Sequence, residues 1–150
     1  MKRLIITGLL ILFIPVSLMA AEGVVNIQSA FNVKKTADRM ENILQKKGMT
    51  VFNRIKHSEA AEKVGIELRD TELIIFGNPK VGSPLIKCQQ SIAIDLPQKA
   101  LIWENDKREV WISYNNPRYL GKRHAVAGCE KVMLKVEKVL ARISKAAASD

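Results

Sequence analysis

The stretch KALIWENDKREVWISY, residues 99–114, decides the fold. Two apolar runs with aromatic and β-branched side chains, 99–104 and 109–114, flank the polar segment Asn105, Asp106, Lys107 and Arg108. That is the pattern of two antiparallel strands joined by a tight turn. A two-residue loop of Asp106 and Lys107 would put Leu101, Trp103, Val110 and Ile112 on one sheet face and Ile102 and Trp111 on the other. Upstream, ELIIF at 72–76 has the uniform hydrophobicity of a central strand. It stops at Gly77-Asn78-Pro79.

Working outward, VVNIQSA at 24–30 alternates apolar and polar residues and reads as a first strand. Asn32 then caps a helix over 33–47, whose apolar stripe is Val33, Ala37, Met40, Ile43 and Leu44, with Gly48 as a left-handed C-terminal stop. TVFNRIKH at 50–57 reads as a second strand, followed by a short helix capped by Ser58 and ended by Gly65. Pro79, Gly82 and Pro84 make 77–84 a constrained loop, 85–89 a brief helical turn and 91–96 an extended or irregular segment closed by Pro97. Asn116-Pro117 opens a last helical region, broken near Gly128. Beyond the break Cys129, Val132, Met133, Val136, Val139, Leu140 and Ile143 recur at helical spacing, and the small tail 146–150 is expected to fray.

Strand, helix, four strands, helix specifies an α+β fold of two layers, β-α-β4-α, with a mostly antiparallel sheet and both long helices on one face. The other face, carrying Ile102 and Trp111 in this register, is expected to be covered by a second copy of the chain, a homodimer, or to form a ligand groove.

The N-terminus places Lys2 and Arg3 before an apolar run from Leu4 to Met19 and follows it with Ala20 and Ala21, the tripartite pattern of an export signal. We therefore read 1–20 as a signal peptide and 21–150 as a single domain, periplasmic or secreted, with no stable membrane span after cleavage; the alternative is a retained membrane anchor. The run is short for a bilayer span and is interrupted by Pro15. Loss of Lys2 and Arg3 takes the formal net charge from +9 to +7, which favours anionic partners. The remaining cations are scattered and not interleaved with aromatics, which argues against nucleic acid as a partner. Cys88 and Cys129 would be free to pair in an oxidising compartment, closing a loop of about 42 residues worth roughly 4 kcal/mol. The alternative is two separately buried thiols.

Four segments now become specific: GMTVFNRIKHSEAAEKVG from Gly48, LIIFGNPKVGSPLIKC from Leu73, IDLPQKALIWEND from Ile94 and WISYNNPRYLGKRH from Trp111. Together they resemble the bacterial and archaeal family known as domain of unknown function 302. The resemblance runs from about Val24 to Ile143, with FGNP followed by GSPL as its most distinctive mark. It implies a TATA-binding-protein-like β-α-β4-α fold and brings no activity with it. Among the family's characteristic positions it maps onto His57, Asn78, Asp95 and His124. Cys88 and Cys129 depart from the family pattern, which supports pairing between them.

As candidate ligand-binding residues we take Asn78, His57 and His124. Asn78 stands in a loop of polar groups and backbone amides after a buried strand, and an imidazole at a strand end or a helix break can face a cleft. GNPKVGS lacks the ending of a phosphate loop. His57 or His124 with Asp95 would make an acid-base pair, the candidate catalytic set. No serine lies in a recognisable nucleophile elbow, and Ser83 precedes a proline. No cofactor or metal is expected: the two His and two Cys lack CxxC or HxxxH spacing, and CxxCH is absent. Three functions follow: a binding module for a small ligand near FGNP, a structural or interaction protein acting through the sheet face, and a His/Asp enzyme.

Overall fold

The computed structural model describes residues 21–150, so the export signal expected over 1–20 lies outside the described residues. Five strands, β1 (Val24–Ser29), β2 (Thr50–Lys56), β3 (Thr71–Gly77), β4 (Gln98–Glu104) and β5 (Val110–Asn115), form one sheet in the order β1-β5-β4-β3-β2. Every neighbouring pair is antiparallel. The long helices α1 (Val33–Lys46) and α5 (Glu130–Ala148) cover one face, giving the two-layer α+β fold expected from the sequence. Short helices α2 (His57–Glu62), α3 (Pro79–Cys88) and α4 (Pro117–Arg123) and a 3₁₀ turn (Gln90–Ile94) fill the connections.

The core lies between sheet and helices. Ile74 and Phe76 of β3, Ala100 and Ile102 of β4, and Val110, Ile112 and Tyr114 of β5 are buried with Val33, Ala37, Met40 and Leu44 of α1 and Val136, Leu140 and Ile143 of α5. Each large side chain removed from water there contributes about 2 kcal/mol of transfer free energy.

The hairpin corrects the face assignment. Glu104 pairs with Val110 and Ile102 with Ile112, because Asn105 and Glu109 close a three-residue loop, 106–108, in which Arg108 takes φ 63°. Asn105 Oδ1 accepts from both Lys107 N and Glu109 N at 2.9 Å. One residue more than a two-residue turn exchanges faces along one arm of the hairpin. Ile102 therefore lies in the core beside Val110 and Ile112, and Trp111 shares the outer face with Trp103 and Leu101.

The segment 77–84, read as a loop, belongs to helix α3. Asn78 caps it, accepting from Lys80 N at 2.9 Å, and Pro79 occupies the first helical position, where its missing N–H costs nothing. Pro84 sits inside the helix and withholds one backbone donor, and the next residue, Leu85, is buried against the core. Residues expected to be extended or irregular after it make the 3₁₀ turn instead. Ser58 caps nothing: its Oγ accepts from Thr71 N at 3.3 Å, tying α2 to β3.

The tail does not fray. Helix α5 continues to Ala148, where Ala147 and Ala148 are buried. Arg39 donates to the carbonyls of Ala146 and Ala147, both at 3.1 Å, and of Ser149, and Ala30 N donates to Ala148 O at 2.8 Å. These bonds satisfy helix-end carbonyls that would otherwise need water.

Candidate functional site

Helix α3 lifts off the end of the sheet and leaves a cavity of about 510 Å³ between itself, α5, β2, β3 and the segment leading into β4. Its wall is apolar, with Met49, Phe52, Val81, Leu85, Leu96 and Val139 among the lining side chains. Phe52 is 53% exposed, which leaves an aromatic ring at the opening. Two exposed lysines, Lys47 after α1 and Lys135 on α5, also line the cavity. Neither forms an ion pair among the described residues. The volume falls in the range of small-molecule sites, in which a few polar groups orient a mostly apolar ligand.

Of the residues expected to bind ligand, Asn78 alone lines this cavity. Its side-chain polar atoms are already engaged: Oδ1 caps α3, and Nδ2 donates to Gly48 O at 3.4 Å. His57 opens α2, is exposed and makes no side-chain hydrogen bond among the described residues. The structure does not bring His57, Asn78 and His124 into one cavity.

His124 does meet Asp95. It follows α4 with its side chain 8% exposed, and Nε2 lies 2.6 Å from Asp95 Oδ2. Nδ1 lies 3.1 Å from Ser91 Oγ, and Arg123 Nη1 reaches Asp95 at 3.4 Å. Ser91 was missed in the sequence because it stands in no elbow. Its only signal is its place four residues before Asp95, which the 3₁₀ turn converts into a shared approach to one imidazole. Beside this cluster the last residue of α3, Cys88, is disulfide-bonded to Cys129 just before α5, with Cα atoms 6.4 Å apart. That settles the alternative of two separate thiols. No group of three or more metal-ligating side chains occurs among the described residues.

The family model described as domain of unknown function DUF302 matches residues 25–148. The chain belongs to the DUF302 family. A crystal structure of an uncharacterized conserved DUF302 protein from Bacillus stearothermophilus superposes with a TM-score of 0.76 at 16% identity, covering 85% of this chain and 99% of that one. That likeness establishes the fold. Among curated proteins, fluoride-specific ion channel FluC 1 of Brucella suis and of Brucella abortus are each 36% identical over 121 residues, 81% of this chain. The match covers 48% and 45% of those proteins, so the chain spans about half the length of the curated relatives it matches. Among the described residues no helix is long and apolar enough to cross a membrane. The family's marks acquire structural roles here. FGNP ends β3 and caps α3, IDLP supplies Asp95, and the Arg-His pair closing α4 supplies both of Asp95's side-chain partners.

Proposed function

We propose that this DUF302 domain is an exported binding module, periplasmic or secreted, that holds a small amphipathic molecule with an apolar body and an anionic head. The observation that carries this reading is the cavity of about 510 Å³, apolar in its wall and bordered by Lys47 and Lys135, neither of which forms an ion pair among the described residues. An alkyl or aromatic body would bury against Val81, Leu85 and Val139, at about 25 cal/mol per Å² of apolar surface removed from water. The head would lie near the two lysines. The export pattern at the N-terminus and the Cys88–Cys129 bond support the compartment. Dodecanoate serves as the probe, in a thermal-shift titration. Stabilisation that saturates in wild type and weakens about tenfold in the Lys47→Glu/Lys135→Glu protein supports the reading. Absence of any shift at millimolar dodecanoate contradicts it.

A second reading makes the domain an interaction module. Leu73, Leu101, Trp103 and Trp111 lie half-buried on the sheet face away from the helices, and Trp111 Nε1 is buried without a partner among the described residues. In the Brucella proteins a segment like this one makes up less than half of a longer molecule. The channel name belongs to those whole proteins, and we carry no fluoride conduction over to this chain. On this reading the aromatic face seats a second copy of the chain. Solution scattering of Trp111→Lys tests it: the expected result is a monomer from a dimeric wild type, and an unchanged dimer contradicts it.

A further inference from the structure

We propose that Ser91, His124 and Asp95 form an acyl-transfer centre that hydrolyses small carboxylic esters, with Ser91 as nucleophile. Nucleophile, base and orienting group are all at hydrogen-bond distance: Ser91 Oγ to His124 Nδ1 is 3.1 Å and His124 Nε2 to Asp95 Oδ2 is 2.6 Å. With Asp95 accepting from Nε2–H, the imidazole keeps a lone pair on Nδ1 that accepts the serine O–H. Burial matches these roles. The His124 and Asp95 side chains are 8% and 14% exposed, whereas Ser91 is exposed to an incoming substrate. Residues three apart eclipse in a 3₁₀ turn, so Ile94, 75% exposed, stands beside Ser91 and offers apolar contact to an acyl group.

The chemistry balances with water as the only co-reactant. Ser91 Oγ adds to the ester carbonyl carbon as its proton passes to His124 Nδ1. The C–O bond to the leaving alcohol breaks, and that oxygen takes the proton from His124, leaving an acyl-serine. Water then gives a proton to Nδ1 as its oxygen adds to the acyl carbon. The serine C–O bond breaks, Ser91 Oγ recovers the proton, and the carboxylic acid leaves. Ser91 and His124 are the catalytic residues, and Asp95 is a positioning residue that holds the imidazole.

The disulfide gives this centre its stability of position. Cys88 lies three residues before Ser91 and Cys129 five after His124, so one covalent bond ties together the two chain segments that supply the cluster. Nothing in this inference depends on the apolar cavity, whose wall uses Ala93 and Leu96 of the same region rather than Ser91 or Asp95.

The test is labelling of the oxidised protein with a fluorophosphonate probe, read by peptide mass spectrometry, together with turnover of p-nitrophenyl butyrate. An adduct on Ser91, and turnover that falls at least a hundredfold in Ser91→Ala, are the expected results. Ser91→Ala removes an exposed hydroxyl, so its fold should persist and circular dichroism can verify that. Asp95→Asn is expected to lower kcat with little change in KM and to alter the pH profile, and Asp95→Glu to restore part of the rate. Reduction of the disulfide is expected to slow labelling severalfold. No adduct on Ser91, or equal turnover in wild type and Ser91→Ala, overturns the centre; a labelling rate indifferent to reductant overturns the role given to the disulfide.

Discussion

Arg54 is where single residues decide most about this domain. It stands on β2 facing α1, and its guanidinium reaches Glu72 at 2.5 Å, Asp38 at 2.7 Å and Glu41 at 3.2 Å. Burial pushes the guanidinium toward its neutral form, and the hydrogen bonds to Glu72 and Asp38 more than offset that push. Glu72 is 7% exposed, so removing Arg54 leaves a buried carboxylate without its main partner. Arg54→Ala is expected to cost about 3 kcal/mol in urea denaturation, whereas Lys34→Ala, which breaks an exposed pair, should cost under about 0.5 kcal/mol. The hydrogen bonds from Lys34 and Arg54 hold the Asp38 carboxyl below its ordinary 3.8. A carboxylate so depressed contributes stability that is fully present above about pH 4 and lost as pH falls through its folded value. Acid titration by NMR should therefore find Asp38 titrating below 3.8, and Asp38→Asn should flatten the loss of stability in that window. At the same scale the sequence could name His124 and Asp95, because each sits in a motif. It could not name Ser91, which carries no motif and reaches His124 only through the fold.

At the scale of elements, what was legible followed from periodicity. The two long helices, the apolar strand ending in Phe76 and the Asn116-Pro117 start all stand where the residue pattern put them. What was not legible turned on single backbone positions. The hairpin face hung on whether the loop held two residues or three, and a non-glycine residue at φ 63° gives no advance sign of itself in the sequence. Arg108→Gly should therefore stabilise the domain by about 0.5–1 kcal/mol through relief of the left-handed conformation, measured as a rise in Tm, while a loss of stability would contradict the assigned turn. Helix α3 was hidden by its own composition: Pro79, Gly82 and Pro84 read as a loop, although the Asn78 cap and the burial of Leu85 support a helix. The order of the tail has a related cause. Small alanines give no sign of the Arg39 side chain, distant in sequence, that ties them down.

Across the whole molecule, the layers explain why the cavity lies where it does. Helices α1 and α5 shield most of the inner sheet face, and α3, anchored at its end by the disulfide, bridges the remaining gap without filling it. The outer face is left with paired tryptophans. Trp103 Nε1 donates to Ser113 Oγ at 2.8 Å, which in turn donates to Asn26 Oδ1 at 2.7 Å, so this surface is ordered by its own hydrogen bonds before any partner arrives. The family and its fold account for this architecture, and the proposed function rests on the cavity and its two lysines. The most direct measurement of that claim is the affinity of dodecanoate, by calorimetric titration, for wild type and for Val139→Trp, whose indole would occupy the cavity. The account predicts saturable one-to-one binding in wild type and its loss in a Val139→Trp protein that remains folded; equal affinity in the two proteins, or none in wild type, would contradict it.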